Sequence, residues 1–393
     1  MATYSKSPVV ISCSTTPSLL FNNLCALRSK CAFIHKDEVF MLAAKGLDLV
    51  RDDQPVIRRI PITGNAALSL DVVAGSMEIS TPFVRDSSVT SSSNPPPPAS
   101  PSSPVHQVSF VTVGGLTLLA VATRAGFSVW GGEDFGTLIH KRLLIDCGVP
   151  DEVAGAQFTR GLSGSPCSAI LCGTSWGEIL VSAFKEDVGT LAKIPSLKGG
   201  HKASITSIAT CDLYIATADD AGIIAQWTIS DFSSHVALTK SNMVPFSHLN
   251  HGGGFPCTSI AIQESILIAG YASGHVRIFR QRGGNGEPLK PSFLEAEIAA
   301  HARTLTALAI HPTRPTFATV GEDSMLRVWS LPSAQVNGGS ASSIRSKVLI
   351  DMQAEIKDRL LTGVSFLESS TTTAHVCVSM YDVSALYVYL ALA

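Results

Sequence analysis

The chain has 393 residues, 45% of them hydrophobic and only 15% charged, with a formal net charge of −2. That balance suits many buried strands, excludes a disordered chain, and supplies no bulk attraction to nucleic acid or to an acidic membrane surface. The nine cysteines make no Cys-x-x-Cys pair and no Cys/His block at zinc spacing, so reduced thiols in a cytoplasmic protein are expected, with no metal and no cofactor.

Taken in order, the chain reads as short strands. No apolar run reaches the ~18–20 residues of a membrane helix, and no basic-then-apolar leader opens it, so no membrane insertion is expected. PVVISC, from Pro8 to Cys13, is a lone strand without a hairpin partner nearby. NNLCALRS, AFIHKDEVFMLAA and IRRIPI supply a first, degenerate group of strands. Residues 76–104 lose apolar alternation and become Ser- and Pro-rich, which predicts a disordered insertion between the first and second groups. Further groups begin near residues 105, 153, 204, 257, 304 and 361, each a run of period-2 strands bounded by turn residues. The last group, LTGVSFLE, HVCVSMYD and LYVYLA, stops after three strands. PVVISC is available as its fourth, which would pair the two chain ends and remove exposed sheet edges.

The sharpest group is His301–Pro332, HARTLTALAIHPTRPTFATVGEDSMLRVWSLP. His301 precedes its first strand, Thr319 lies in the second, Asp323 in the next turn and Trp329 in the third. A His–hydroxyl–Asp–Trp set forms one buried hydrogen-bonded chain that braces three strands. His201, Thr217 and Trp227 repeat the arrangement with the same ten-residue step from threonine to tryptophan. There Ala221 occupies the place of Asp323, so the second brace reads as incomplete. Phe279 takes the tryptophan position in the group between them.

These groups resemble the blades of the WD-repeat β-propeller family. The phrases NNLCAL, GTSWG, GHKASITSIAT, IAGYASGHV and GEDSMLRVW, in that order, mark a narrower branch of it. The resemblance implies an all-β fold, a single seven-bladed propeller over residues 1–393 closed by the N-terminal strand. It also implies a non-catalytic protein used for protein–protein contact, in which turns between second and third strands gather on one face. Those turns carry Arg124, Trp176, Asp219, Asp220, Tyr271, Glu322, Tyr381 and Asp382 as candidate partner-binding residues. Aromatics there are candidate hot spots and acids a dock for a basic peptide. Trp176 and Tyr271 lead the set, because large aromatics exposed on turns call for a use. Acids and small residues are also ordinary turn formers.

No catalytic set assembles. His201 and His301 sit in brace positions without a nucleophile. Gly161-Leu162-Ser163-Gly164 lacks the closing glycine and strand-to-helix setting of a nucleophile elbow. His248 and His251 lie in a stretch that reads as loop, with no third metal ligand nearby. Prolines over residues 95–104 form a polyproline series of the kind SH3- or WW-type domains read. The function expected is a scaffold or adaptor for protein–protein interactions. The alternative, a substrate receptor of a ubiquitin-ligase complex, lacks the Trp-Asp-x-Arg box, since Thr228 and Ser330 follow the two tryptophans.

Overall fold

In the computed structural model the chain is an all-β propeller with no helix among the described residues. Those are residues 3–13, 15–27, 30–35, 38–43, 56–59, 105–113, 115–132, 135, 137–144, 158–165, 169–185, 190–211, 214–228, 245–284, 287–331, 348–368 and 374–392. The Ser/Pro-rich insertion, including its polyproline series, lies outside them.

Among the described residues seven four-stranded antiparallel sheets form, in chain order with one exception. Sheet one is Cys25–Leu27, Lys30–His35, Glu38–Ala43 and Val56–Arg59. Sheet two is Val105–Val113, Leu116–Thr123, Gly126–Gly131 and Thr137–Leu143; sheet three is Thr159–Ser165, Ala169–Thr174, Ile179–Lys185 and Thr190–Leu197. Sheet four is Ile205–Thr210, Tyr214–Asp219, Ile223–Thr228 and Ser247–Asn250; sheet five is Cys257–Gln263, Ile266–Tyr271, His275–Gly284 and Glu287–Ala299. Sheet six is Leu305–Ile310, Thr316–Gly321, Met325–Ser330 and Leu349–Glu355. Sheet seven is the exception: Leu361–Glu368, Ala374–Met380 and Ala385–Tyr389 take Val9–Ser12 as their outermost strand. Val9 pairs with Val388 and Ser12 with Ala385, while Thr3–Tyr4 pairs with Ala391–Leu392. Sheets two to seven are regular blades; the two outer strands of sheet one are described largely by their backbone pairing.

Each second strand is buried along its whole length in sheets three, four, six and seven. A strand covered on both faces needs no polar side, so AILCGT, TFATVG and AHVCVSM read as nearly continuous apolar or small runs. The covering comes from the neighbouring sheets. Val320 and Val328 of sheet six pack with Val364, Val376 and Val378 of sheet seven. Ile11 and Leu386 of sheet seven pack with Leu24, Cys31 and Phe33 at sheet one. Ala32 and Ile34 of sheet one then pack with Val121 and Trp130 of sheet two.

The first strands share a device that alternation does not show. Their registers shift after the opening residue, at Val105/Gln107, Ile205/Ser207, Cys257/Ser259, Leu305/Ala307 and Leu361/Gly363. The residue skipped is threonine in four of these: Thr206, Thr258, Thr306 and Thr362. A bulge re-aims its side chain. Thr206 donates across to Cys257 O at 2.5 Å, and Thr306 to Leu361 O at 2.6 Å. Hydroxyls thus bond consecutive sheets at the inner rim.

One expectation falls here. Ser247–Asn250 was expected as loop and is the outer strand of sheet four, pairing Ser247 with Gln226 through Asn250 with Ile223. Its alternation, SHLN, is four residues long, too short for a periodicity signal. His248 accordingly bonds Gly200 O at 3.1 Å, and the His251 ring lies 5.3 Å from that of Phe279.

Candidate functional site

Two braces hold the sheets that frame the turn face. In sheet six, Trp329 Nε1 donates to Thr319 Oγ1 at 2.9 Å. Thr319 Oγ1 lies 2.9 Å from His301 Nε2, and His301 Nδ1 lies 2.8 Å from Asp323 Oδ1. Burial lowers the His301 pKa against the pull of Asp323. Burial would raise that of Asp323, but hydrogen bonds from His301, the Ala302 N–H and Arg327 outweigh it and hold the carboxyl well below its usual range. At neutral pH the ring is therefore neutral: Nδ1–H donates to an ionised Asp323, and Nε2 accepts from Thr319.

Sheet four carries the same chain complete, which corrects the incomplete reading. Trp227 donates to Thr217 Oγ1 at 2.9 Å, Thr217 Oγ1 lies 2.7 Å from His201 Nε2, and His201 Nδ1 lies 2.8 Å from Asp219 Oδ2. The carboxylate comes from the end of the second strand instead of the turn. Asp219 also accepts from the Ala221 and Ile223 amides at 3.0 and 2.8 Å, which shapes the turn itself.

Asp219 is 1% exposed and Tyr271 is fully buried, so neither is a partner-binding residue. Both were placed one residue too far into their turns. Asp219 pairs with Ile205 and Tyr271 with Cys257, so each is the last strand residue and points inward, Asp219 onto His201 and Tyr271 toward sheet four. Tyr271 packs between sheets four and five under the Arg277 guanidinium, 4.5 Å from its ring centroid, and burial pushes its phenol pKa well up. Trp176 is half-buried against the cluster shared by sheets two and three, so only part of its side chain is open to solvent.

The exposed turn residues come one position later. Arg124, Asp220, Tyr381 and Asp382 face solvent, with Tyr381 at 45% exposure, and Glu322 is half-buried. One backbone bond recurs under these turns and fixes them to the start of each first strand. Asp220 N donates to Ser204 O, Glu322 N to Thr304 O and Tyr381 N to Leu360 O, each at 2.9 Å.

Two further features of this face went unread in the sequence. Phe255, in the connection leading into sheet five, is 50% exposed, and its carbonyl lies where a side chain on Gly222 would stand. The loop before sheet one crosses the axis. Asn22 N donates to Thr306 O at 3.1 Å and Asn22 Nδ2 to Thr258 O at 3.0 Å, while Asn23 N reaches Thr362 O. Sheets five and six are not neighbours of sheet one, so this segment spans the end of the ring where the first strands begin. The same loop carries the 53%-exposed Leu19, and the Asp382 amide points at Pro17 O. Asn22 holds φ 56, a conformation asparagine tolerates better than most residues. Among the described residues no group of His, Cys, Asp and Glu forms a metal site.

Four-stranded sheets stacked around an axis, braced by the His–Thr–Trp–Asp chain, define a WD-repeat propeller protein. A family model described as WDR54 matches residues 97–390, and the chain belongs to that family. WD repeat-containing protein 54 of Mus musculus is 28% identical over 236 residues, covering 58% of this chain and 63% of its own. The Homo sapiens protein of that name is 27% identical over 235 residues with the same coverage. The alignment thus spans less than two thirds of these relatives. The solved structures share the fold alone. A chain of the crystal structure of the Mitotic Checkpoint Complex superposes with TM-score 0.63 at 11% identity, over 99% of this chain and 93% of that one. Chaetomium thermophilum Raptor gives 0.60 at 10% identity, over 100% of this chain and 29% of its own.

Proposed function

We propose that the protein is a non-catalytic scaffold of the cytoplasm. In this reading a seven-bladed ring, closed by the N-terminal strand, holds partner proteins on the turn face. The observation that carries it is the exposed set Arg124, Asp220, Phe255, Tyr381 and Asp382, several of them on turns tied by backbone bonds to the first strands. Aromatics held rigidly in solvent are binding anchors, and nearby acids favour a basic partner. Because the Leu19–Asn23 loop spans the axis, contact is made across the rim and not by threading the ring. Seven described cysteines are free thiols, in keeping with a reducing compartment.

Proximity labelling in cells tests this, comparing wild type with Asp220→Ala/Tyr381→Ser/Asp382→Asn. The variant is expected to lose labelled proteins while its thermal unfolding midpoint stays put. An unchanged labelled set would place the contact elsewhere.

A further inference from the structure

A groove of about 850 Å³ runs along the outside of the ring between the outer strands of sheets six and seven. One wall is Asp351–Glu355, part of the last strand of sheet six, whose second edge pairs with no strand among the described residues. The opposite wall is the N-terminal segment Thr3–Pro8, and Tyr387 and Tyr389 line the groove from sheet seven.

Two polar atoms at this groove are buried and lack a hydrogen-bond partner among the described residues: Tyr4 Oη and Asp351 Oδ1. Tyr4 is 8% exposed. The other carboxylate oxygen of Asp351 accepts from Ser330. Burial, then the Asp351 charge, pushes the Tyr4 phenol up to about 12, so it remains a donor at neutral pH. A buried donor or acceptor left unmade costs ~1–3 kcal/mol. One unmet donor beside one unmet acceptor is the complement of an amide, which has a C=O to accept and an N–H to give. An extended peptide supplies such groups at every residue, and a free strand edge is where it adds. The outer strand of sheet six has seven residues, roughly 23 Å of extended chain. Past its end stand Lys357 and Arg359, both exposed and without an ion pair among the described residues.

We propose that this groove binds an extended, acidic peptide of a partner protein, which adds to the free edge of Leu349–Glu355. One of its amides bridges Tyr4 and Asp351, and a carboxylate meets Lys357 and Arg359. The site is separate from the turn face and stands or falls independently of it.

The probe is a phage-displayed random heptapeptide library panned on the full chain. Enriched sequences are synthesised with both ends blocked and titrated by fluorescence anisotropy. Peptides rich in Asp or Glu are expected. Tyr4→Phe should weaken them roughly three- to tenfold, while the free protein's unfolding midpoint holds or rises, because the deleted hydroxyl has no partner to lose. Arg359→Glu should weaken them further, and Tyr381→Ser should leave them unchanged. The proposal is overturned if no peptide is enriched, if affinity ignores Tyr4→Phe and Arg359→Glu, or if binding disappears with Tyr381→Ser. It is also overturned if sedimentation shows a dimer that Arg359→Glu dissociates, because a second copy then fills the groove.

Discussion

Asp219 and Asp323 serve their histidines from positions two residues apart relative to the preceding threonine. Where sheet four has Asp219, sheet six has Gly321. A Cβ on Gly321 would stand 2.8 Å from His301 Nδ1, so the ring fills the space and the carboxylate arrives from the turn instead. The brace composition was legible, since a histidine leads each group and threonine and tryptophan stand ten residues apart in both; the swap was not, because spacing alone cannot say which of two acids turns inward. Asp219→Ala is therefore expected to cost about 2–4 kcal/mol by urea denaturation, leaving a buried histidine donor unpaired. Asp220→Ala, one residue on, should stay within ~0.5 kcal/mol. Histidines also set a pH response. His311 Nδ1 accepts from the Thr313 and Arg314 amides, both at 3.1 Å, and burial, then Arg314, lowers its pKa to about 4. His140 is likewise lowered to about 4, by burial, then Lys193 and Arg142. Unfolded histidines titrate near ~6.5, so below that pH the unfolded chain takes up protons that the fold refuses. Stability is full above pH ~6.5 and falls as pH drops toward 4. The urea midpoint should be lower at pH 5 than at pH 7, and His311→Gln should reduce that difference.

At the scale of the strand, period-2 alternation located most first, second and third strands but hid the inner-rim bulges. Thr206 and Thr306 look like ordinary outward polar positions in Ile-Thr-Ser and Leu-Thr-Ala. A bulge gives one strand two residues against one, and the extra side chain turns toward the adjoining sheet. The same one-residue slip explains why Asp219 and Tyr271 were read as turn residues: register, not composition, decides which side chain is last in the strand. Thr306→Val keeps the shape and removes the hydroxyl bonded to Leu361 O and Val320 O. A loss of about 1–3 kcal/mol is expected, because Leu361 O would lose a buried donor. A loss near zero would mean that the bond between sheets six and seven adds nothing to holding them together.

Across the whole molecule, stability comes from sheets that cannot cover their own faces and do so against their neighbours. The cluster joining Ile11 and Leu386 to Leu24 and Phe33 links the two ends of the chain, as does the cluster that holds both Tyr4 and Tyr389. Asn22 adds a tie from sheet one to sheets five and six. Repetition made this stacking readable from the sequence, and the missing fourth strand of the last group pointed to the N-terminus. The crossing by Asn22 had no such signal, since hydrogen bonds to carbonyls more than two hundred residues away leave no periodic trace. The pairing of Val9–Ser12 with Ala385–Tyr389 is what the closed ring rests on, and hydrogen exchange reads it directly. Peptides covering residues 9–12 and 385–389 should exchange together, as slowly as the buried strand Thr316–Gly321. Exchange of residues 9–12 within seconds, with the rest of the protein still protected, would contradict closure.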